Sequence, residues 1–307
     1  MDGIFKDNRY KSILAFFCAL GWSLAYPLIK IGYQEFGIKP DDLGGKILFA
    51  GIRFLLAGVF VVLFCLVKKQ KAEIKGYGDF LWLLMLAVIN TTLHYMFAYI
   101  GLGYSTSSRA TILDSMGGFF LIILSVIIFS DDKFSANKLL GCILGISGII
   151  AINIEPGMGF FENITFKSDG MILLNALCAG FGGIVTRVVS KKMNMMMATG
   201  QSMAVGGALL LTVGGFVGTT SEWNIDIKGM AVLLGLVMIS AVCFAIYNEL
   251  LSYHPISKVA IYNALIPVLG VIFAAFILGE IMIWQFFFAV GMVAMGIYLV
   301  NSNSLKK

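Results

Sequence analysis

The residue best placed to do chemistry is Asp114, an acid about five residues inside the apolar stretch 107–129. That depth is roughly 7–8 Å along a helix. An aspartate at the centre of a membrane-spanning helix costs ~2.5–3.5 kcal/mol, so an acid there faces a cavity or a partner. It would serve as counter-ion to a cationic group on a substrate, or as a carrier that takes up and releases a proton. The competing reading is a helix-end carboxylate wetted from outside or paired with Arg109. Asn90 and His94 stand four residues apart in the preceding apolar stretch, hence on one helical face. With Tyr95 they are placed to orient a solute by hydrogen bonds, or else to join helices at ~0.6 kcal/mol per contact. Trp22, Tyr26 and Pro27 fall in the first apolar stretch. The proline removes an internal hydrogen bond and permits a kink, and the rings can stack on an amine. Tyr247, Asn248 and Asn263 complete the candidate substrate-binding set.

Several chemistries are excluded. His94 and His254 are the only histidines, and the five cysteines form no CxxC pair, so neither a metal centre nor a disulfide framework is indicated. An intramembrane aspartyl protease needs two carboxylates sharing a site, whereas Asp114 is the only aspartate well inside an apolar stretch. There is no GxSxG nucleophile elbow, no phosphate loop for ATP, and no cofactor motif. The formal charge of +5 is spread in short runs between apolar blocks, not in the basic stripe that nucleic acid requires. The partners left are a small-molecule substrate and membrane lipid. A flippase for a lipid-linked carrier is the rival reading; a channel would want a ring of charges.

These residues need elements to hold them. Of 307 residues 59% are hydrophobic and only 13% charged, about half the charge of a soluble domain. The apolar residues arrive in blocks of about twenty, the length that spans a bilayer as a helix, with no strand-like alternation. The expected fold is an all-α polytopic membrane protein with ten transmembrane helices. The spans are 12–32, 46–67, 79–102, 107–129, 137–154, 170–189, 196–218, 229–251, 257–278 and 283–300. The first block is too long for a signal-peptide core. With the termini inside, 14 Lys and Arg fall in inner segments and 5 in outer loops, so both termini are expected to be cytoplasmic.

An internal repeat organises the spans. Tyr104 to Ile112 lines up with Tyr253 to Ile261 at an offset of 149, as do Gly51 and Gly58 with Gly200 and Gly207. Residues 1–154 and 155–307 therefore read as two five-helix units. An odd span count inserts the second unit upside down, and such inverted repeats hold their site near the midplane between the halves. The same offset pairs Asp114 with Asn263. Arg53, deep in the second span, calls for a partner, expected here as a structural ion pair. Glu280 and Asp132 fall at span junctions, where an acid suits the N-terminus of the next helix.

The stretches "GWSLAYPLIKIGY" (21–33), "AGIRFLLAG" (50–58) and "SKVAIYNALIPVLGVIFAAFILGE" (257–280) resemble the EamA-type branch of the drug/metabolite transporter superfamily. The resemblance runs over essentially the whole chain. It implies a central cavity and export of small metabolites or amino acids. One departure stands out: the family has a proline in the fourth span mirroring Pro267, while this chain reads Asp114-Ser115-Met116-Gly117-Gly118. The expectation is a secondary transporter in a bacterial cytoplasmic (inner) membrane. It would export an amino acid, amine or similar metabolite by alternating access, proton-coupled through Asp114.

Overall fold

In a computed structural model, residues 2–70, 74–128, 135–152, 164–254, 259 and 261–302 are described, and among them every regular element is helical. After a short N-terminal helix (Asp2–Lys6) come α1 (Asn8–Glu35), α2 (Leu43–Val67), α3 (Tyr77–Gly103) and α4 (Ser107–Ile128). They are followed by α5 (Ala136–Ile152), α6 (Phe166–Val189), α7 (Met195–Val217), α8 (Ile227–Tyr253), α9 (Leu265–Leu278) and α10 (Trp284–Ser302). Among the described residues, seven helices, α1–α4 and α6–α8, are long and apolar enough to cross a bilayer. The helix α9 and most of α10 are shorter apolar segments.

The starts of these helices are written in the sequence. Asp7, Asp42, Thr165, Asn194 and Asp226 each accept a backbone N–H from the first turn of the following helix, satisfying donors a helix cannot satisfy itself. Asp42 does more than cap. Its carboxylate accepts from Gly45 N–H at 2.8 Å, the Thr219 hydroxyl at 2.6 Å and Ser221 N–H at 3.1 Å, tying the start of α2 to the segment before α8. Burial alone would raise the Asp42 pKa, but the bonds from Ser221, Thr219 and Gly45 outweigh it and hold the pKa below the ordinary value. A depressed folded-state pKa gives stability that is present above the unfolded value, near 3.9, and lost as pH falls through the folded one. Asp42→Ala should therefore lose about 1–2 kcal/mol near neutral pH. In thermal unfolding in detergent, the gap between wild type and variant should close at strongly acidic pH.

The helices pack in a pattern of exchange. The most extensive contacts are α2 with α7 and α5 with α10; α1 packs on α8 and α9, while α6 packs on α3 and α4. Swapping the first five labels with the last five returns the same set. The α2–α7 crossing shows why glycine is needed. A β-carbon at Gly58 would stand 2.2 Å from the Ala204 nitrogen, and one at Gly207 would stand 2.2 Å from the Leu55 nitrogen. Gly51 against Leu211 and Gly200 against Val62 repeat the relation one step out, and the rising and falling numbers make the pair antiparallel. Such small-residue contact lets two backbones touch, which apolar side chains in lipid cannot achieve.

Two sequence expectations are corrected. Lys46, one of the five basic residues assigned to the outer side, at the very start of the span 46–67, is fully buried in the first turn of α2, where its ammonium donates to the Pro40 carbonyl and lies 4.0 Å from the Tyr104 ring centre. Arg53 is held by neutral groups in place of an ion pair: the Leu236 carbonyl at 3.2 Å, the Ser240 hydroxyl at 2.8 Å and the Tyr99 hydroxyl at 2.9 Å. Three oxygen acceptors, two from α8 and one from α3, solvate the guanidinium as a single carboxylate would have done.

Candidate functional site

Two helices break at equivalent places. The helix α4 runs regularly from Ser107 to Asp114, turns at Ser115, and resumes at Met116. The Ser115 hydroxyl bonds back to the Ile112 carbonyl, and Gly118 N–H to the Ser115 carbonyl. On the other side, Ile261–Ala264 form a 3-10 turn before α9 begins at Leu265. Asn263 thus precedes the regular helix in place of lying within it. Pro267 explains this: it falls in the first turn of α9, where its missing N–H has no partner to lose. Asp114 and Asn263 both sit at a break.

At the first break, the Asn175 amide donates to Asp114 Oδ1 at 2.5 Å. Asn175 Nδ2 also lies 3.4 Å from the Tyr26 hydroxyl, which brings α1 to the same acid. The carboxylate is half-buried, while Asn175 is wholly buried. His94 reaches the same place, its Nδ1 lying 3.2 Å from the Asn175 carbonyl oxygen. Helices α1, α3, α4 and α6 therefore meet around one acid. Arg109, the alternative partner for Asp114, instead bonds Asp169 at 2.6 Å.

At the second break, Asn263 Nδ2 lies 2.8 Å from the Tyr247 hydroxyl, and the Tyr247 ring meets Trp22 edge-on at 4.8 Å. Aromatic rings bridge the two clusters. Trp22 packs on Phe244 at 5.3 Å, Phe244 on Tyr95 at 6.3 Å, and Tyr95 on His94 at 4.3 Å. Asn90 and Asn248 lie to one side, lining a small cavity with Phe54, Tyr95, Thr199 and Phe244. Asn248 donates to the Thr199 hydroxyl at 2.7 Å. Asn90 is carried by a π-turn, Val88–Leu93, inside α3, a distortion common at functional positions.

All eight residues expected to bind substrate thus lie on one connected chain of contacts, in three groups. Trp22, Tyr247 and Asn263 form one, Tyr26, His94 and Asp114 another, and Asn90 and Asn248 line the side cavity. Sequence reasoning missed Asn175, Thr199 and Phe244. For Asn175 a signal existed: it is the repeat counterpart of Tyr26 at offset 149, and the two side chains touch.

Glu280 was expected to meet the helix that follows it. Its carboxylate instead accepts from Ser107 N–H at 2.7 Å, Ser108 N–H at 3.0 Å and the Ser108 hydroxyl at 2.7 Å, capping α4. Three free donors and the positive end of α4 outcompete α10 for the acid. Asp132 lies outside the described residues.

Apolar helices carrying exposed Phe216, Ile227 and Phe276 outward, around a core that holds an acid, define an integral membrane protein. The pattern of the EamA-like transporter family matches residues 10–154 and again 166–302, and the chain belongs to that family. It is a membrane transporter for small solutes and not an enzyme. An uncharacterized transporter of Archaeoglobus fulgidus is 27% identical over 303 residues, covering 96% of this chain and 99% of the relative. A probable amino-acid metabolite efflux pump of Salmonella typhimurium is 24% identical over 306 residues, covering 95% of each. A crystal structure with 11% identity superposes with a TM-score of 0.69 over 95% of this chain and 98% of its own, a likeness of fold.

Proposed function

We propose that this protein is a secondary transporter that exports a small metabolite, an amino acid, amine or similar solute, with Asp114 as the proton-coupling group. The chain would form ten spans in two inverted five-helix repeats, 1–154 and 155–307, with both termini cytoplasmic, in a bacterial cytoplasmic membrane. Access alternates as one half rocks against the other about the α2–α7 and α5–α10 seams. The observation that carries the reading is Asp114 at the break of α4, bonded to Asn175 of the other half, whose amide also meets the Tyr26 hydroxyl of α1. The double family match and the exchange pattern of helix contacts support the repeat. The salmonella relative's name favours an amino-acid-like cargo. A lipid-linked cargo fits less well. The groove between α2 and α8 is lined by Phe5, Phe60, Phe64, Ala245 and Ile246, which leaves a polar headgroup without hydrogen-bond partners.

Reconstituted protein loaded with a panel of amino acids and amines should release at least one of them faster under an inward proton gradient. No gradient-driven flux for any member would defeat the reading. The orientation has its own check. In intact cells, cysteine at Lys39 or Glu222 should react with an impermeant thiol reagent, and cysteine at Lys68 or Lys191 only after lysis.

A further inference from the structure

The Asn263 cluster contains groups the fold leaves unused. Among the described residues, Trp22 Nε1 is buried without a hydrogen-bond partner, and so is the Asn263 amide oxygen. Whichever way that amide is turned, one polar atom bonds Tyr247 and the other faces none. Buried polar atoms are almost always satisfied, so those left open within the candidate site point to a ligand. The Asp114 cluster carries a different opening. Asn175 Nδ2 is engaged by the carboxylate while Asn175 Oδ1 is buried and unpartnered. Asp114 and Asn175 together thus offer acceptors only, which suits an ammonium. The Asn263 cluster offers an indole N–H donor and an amide acceptor, each on a side chain that meets Tyr247, and carries no charge.

We infer that Trp22, Tyr247 and Asn263 form a second, uncharged station for the transported solute, built to hold an amino group next to a carbonyl or carboxyl oxygen. The inference rests on the transport reading above and adds to it a resting place distinct from Asp114. The amino group donates to Asn263, the neighbouring oxygen accepts from the Trp22 indole, and the Tyr247 and Phe244 rings close the sides. Trp22 and Tyr26 are four residues apart on α1, so the stations are separated by about one helical turn, roughly 6 Å. A solute passing between them exchanges a neutral cradle for a charged one. The repeat supplies the reason for two: Asn263 is the counterpart of Asp114.

The test uses the full-length protein with Trp82, Trp223 and Trp284 changed to Phe, so that Trp22 is the sole indole. The probes are glycinamide, which has an oxygen beside its amine, and propylamine, which has none. Glycinamide should shift Trp22 emission; propylamine should bind by calorimetry without shifting it. Asn263→Leu should abolish the shift and weaken glycinamide about tenfold, the scale of one hydrogen bond, while sparing propylamine. Should that variant not fold, Asn263→Asp serves: a second carboxylate should tighten propylamine about tenfold. The station is overturned if propylamine shifts Trp22 equally, if the shift survives Asn263→Leu, if Asn263→Asp leaves propylamine unchanged, or if Trp22 ignores a probe that proteoliposomes still transport. That last result leaves the transport reading standing. Neither binding nor transport of either probe removes both.

Discussion

Asparagine in place of Asp114 is expected to leave a folded protein that no longer responds to an imposed pH gradient. The change keeps the size of the side chain and its ability to accept from Asn175, while removing the charge and the titration. If the solute carries an amine, its affinity should fall by ~1.5–3 kcal/mol, the worth of a hydrogen bond to a charged group, or about 10- to 150-fold. If the solute is neutral or anionic, affinity should hold and coupling alone should disappear. Flux in proteoliposomes with and without a gradient, read beside calorimetric binding, separates these cases. Normal transport at every pH with unchanged affinity would reduce Asp114 to a helix-end acid. The pH response belongs in the readout because Asp114 also bonds Asn175, so a merely structural loss would lower flux at all pH values equally.

Leucine at Gly58 or Gly207 should abolish the folded protein altogether. At both positions even a β-carbon meets backbone at 2.2 Å, and backbone cannot rotate away as a side chain can. Alanine there should cost about 1–3 kcal/mol as α2 and α7 are forced apart. Gly215 and Gly235 have open space where a β-carbon would go, so alanine there should be neutral or slightly stabilising through helix propensity. Thermal unfolding in detergent and gel-filtration profiles would compare the four. Equal tolerance at all four sites would mean that the crossing is not close.

The helices and the repeat were legible because burial in lipid leaves a dense signal: long apolar runs, capping residues at their starts, and glycines recurring at one offset. The equivalence of Asp114 and Asn263 followed from that offset alone. What stayed hidden depends on distance in space. Nothing near Arg53 in sequence announces Leu236, Ser240 or Tyr99 as its partners. Glu280 looked like a cap for its neighbour because sequence shows adjacency, whereas the free donors at Ser107 and Ser108 belong to the other half. Asn175 was passed over as an amide in an apolar run; its importance rests on touching Asp114 and Tyr26, a fact of packing. The break at Ser115 was equally silent, since no proline marks it as Pro267 marks its counterpart.

The glycine crossing has a consequence for the origin of the chain. Gly58 meets residue 204 while Gly207 meets residue 55, and Gly51 meets 211 while Gly200 meets 62. Each contact is returned with the partners exchanged, as two copies of one protein would make about a two-fold axis. Duplication of a half-length gene, whose product once paired with an antiparallel copy of itself, accounts for such a seam. A homodimer must carry every residue twice, so an acid at its core would face a twin, and neighbouring carboxylates resist ionising together. Fusion lifted that constraint: one copy could keep an acid at 114 while the other settled on an amide at 263.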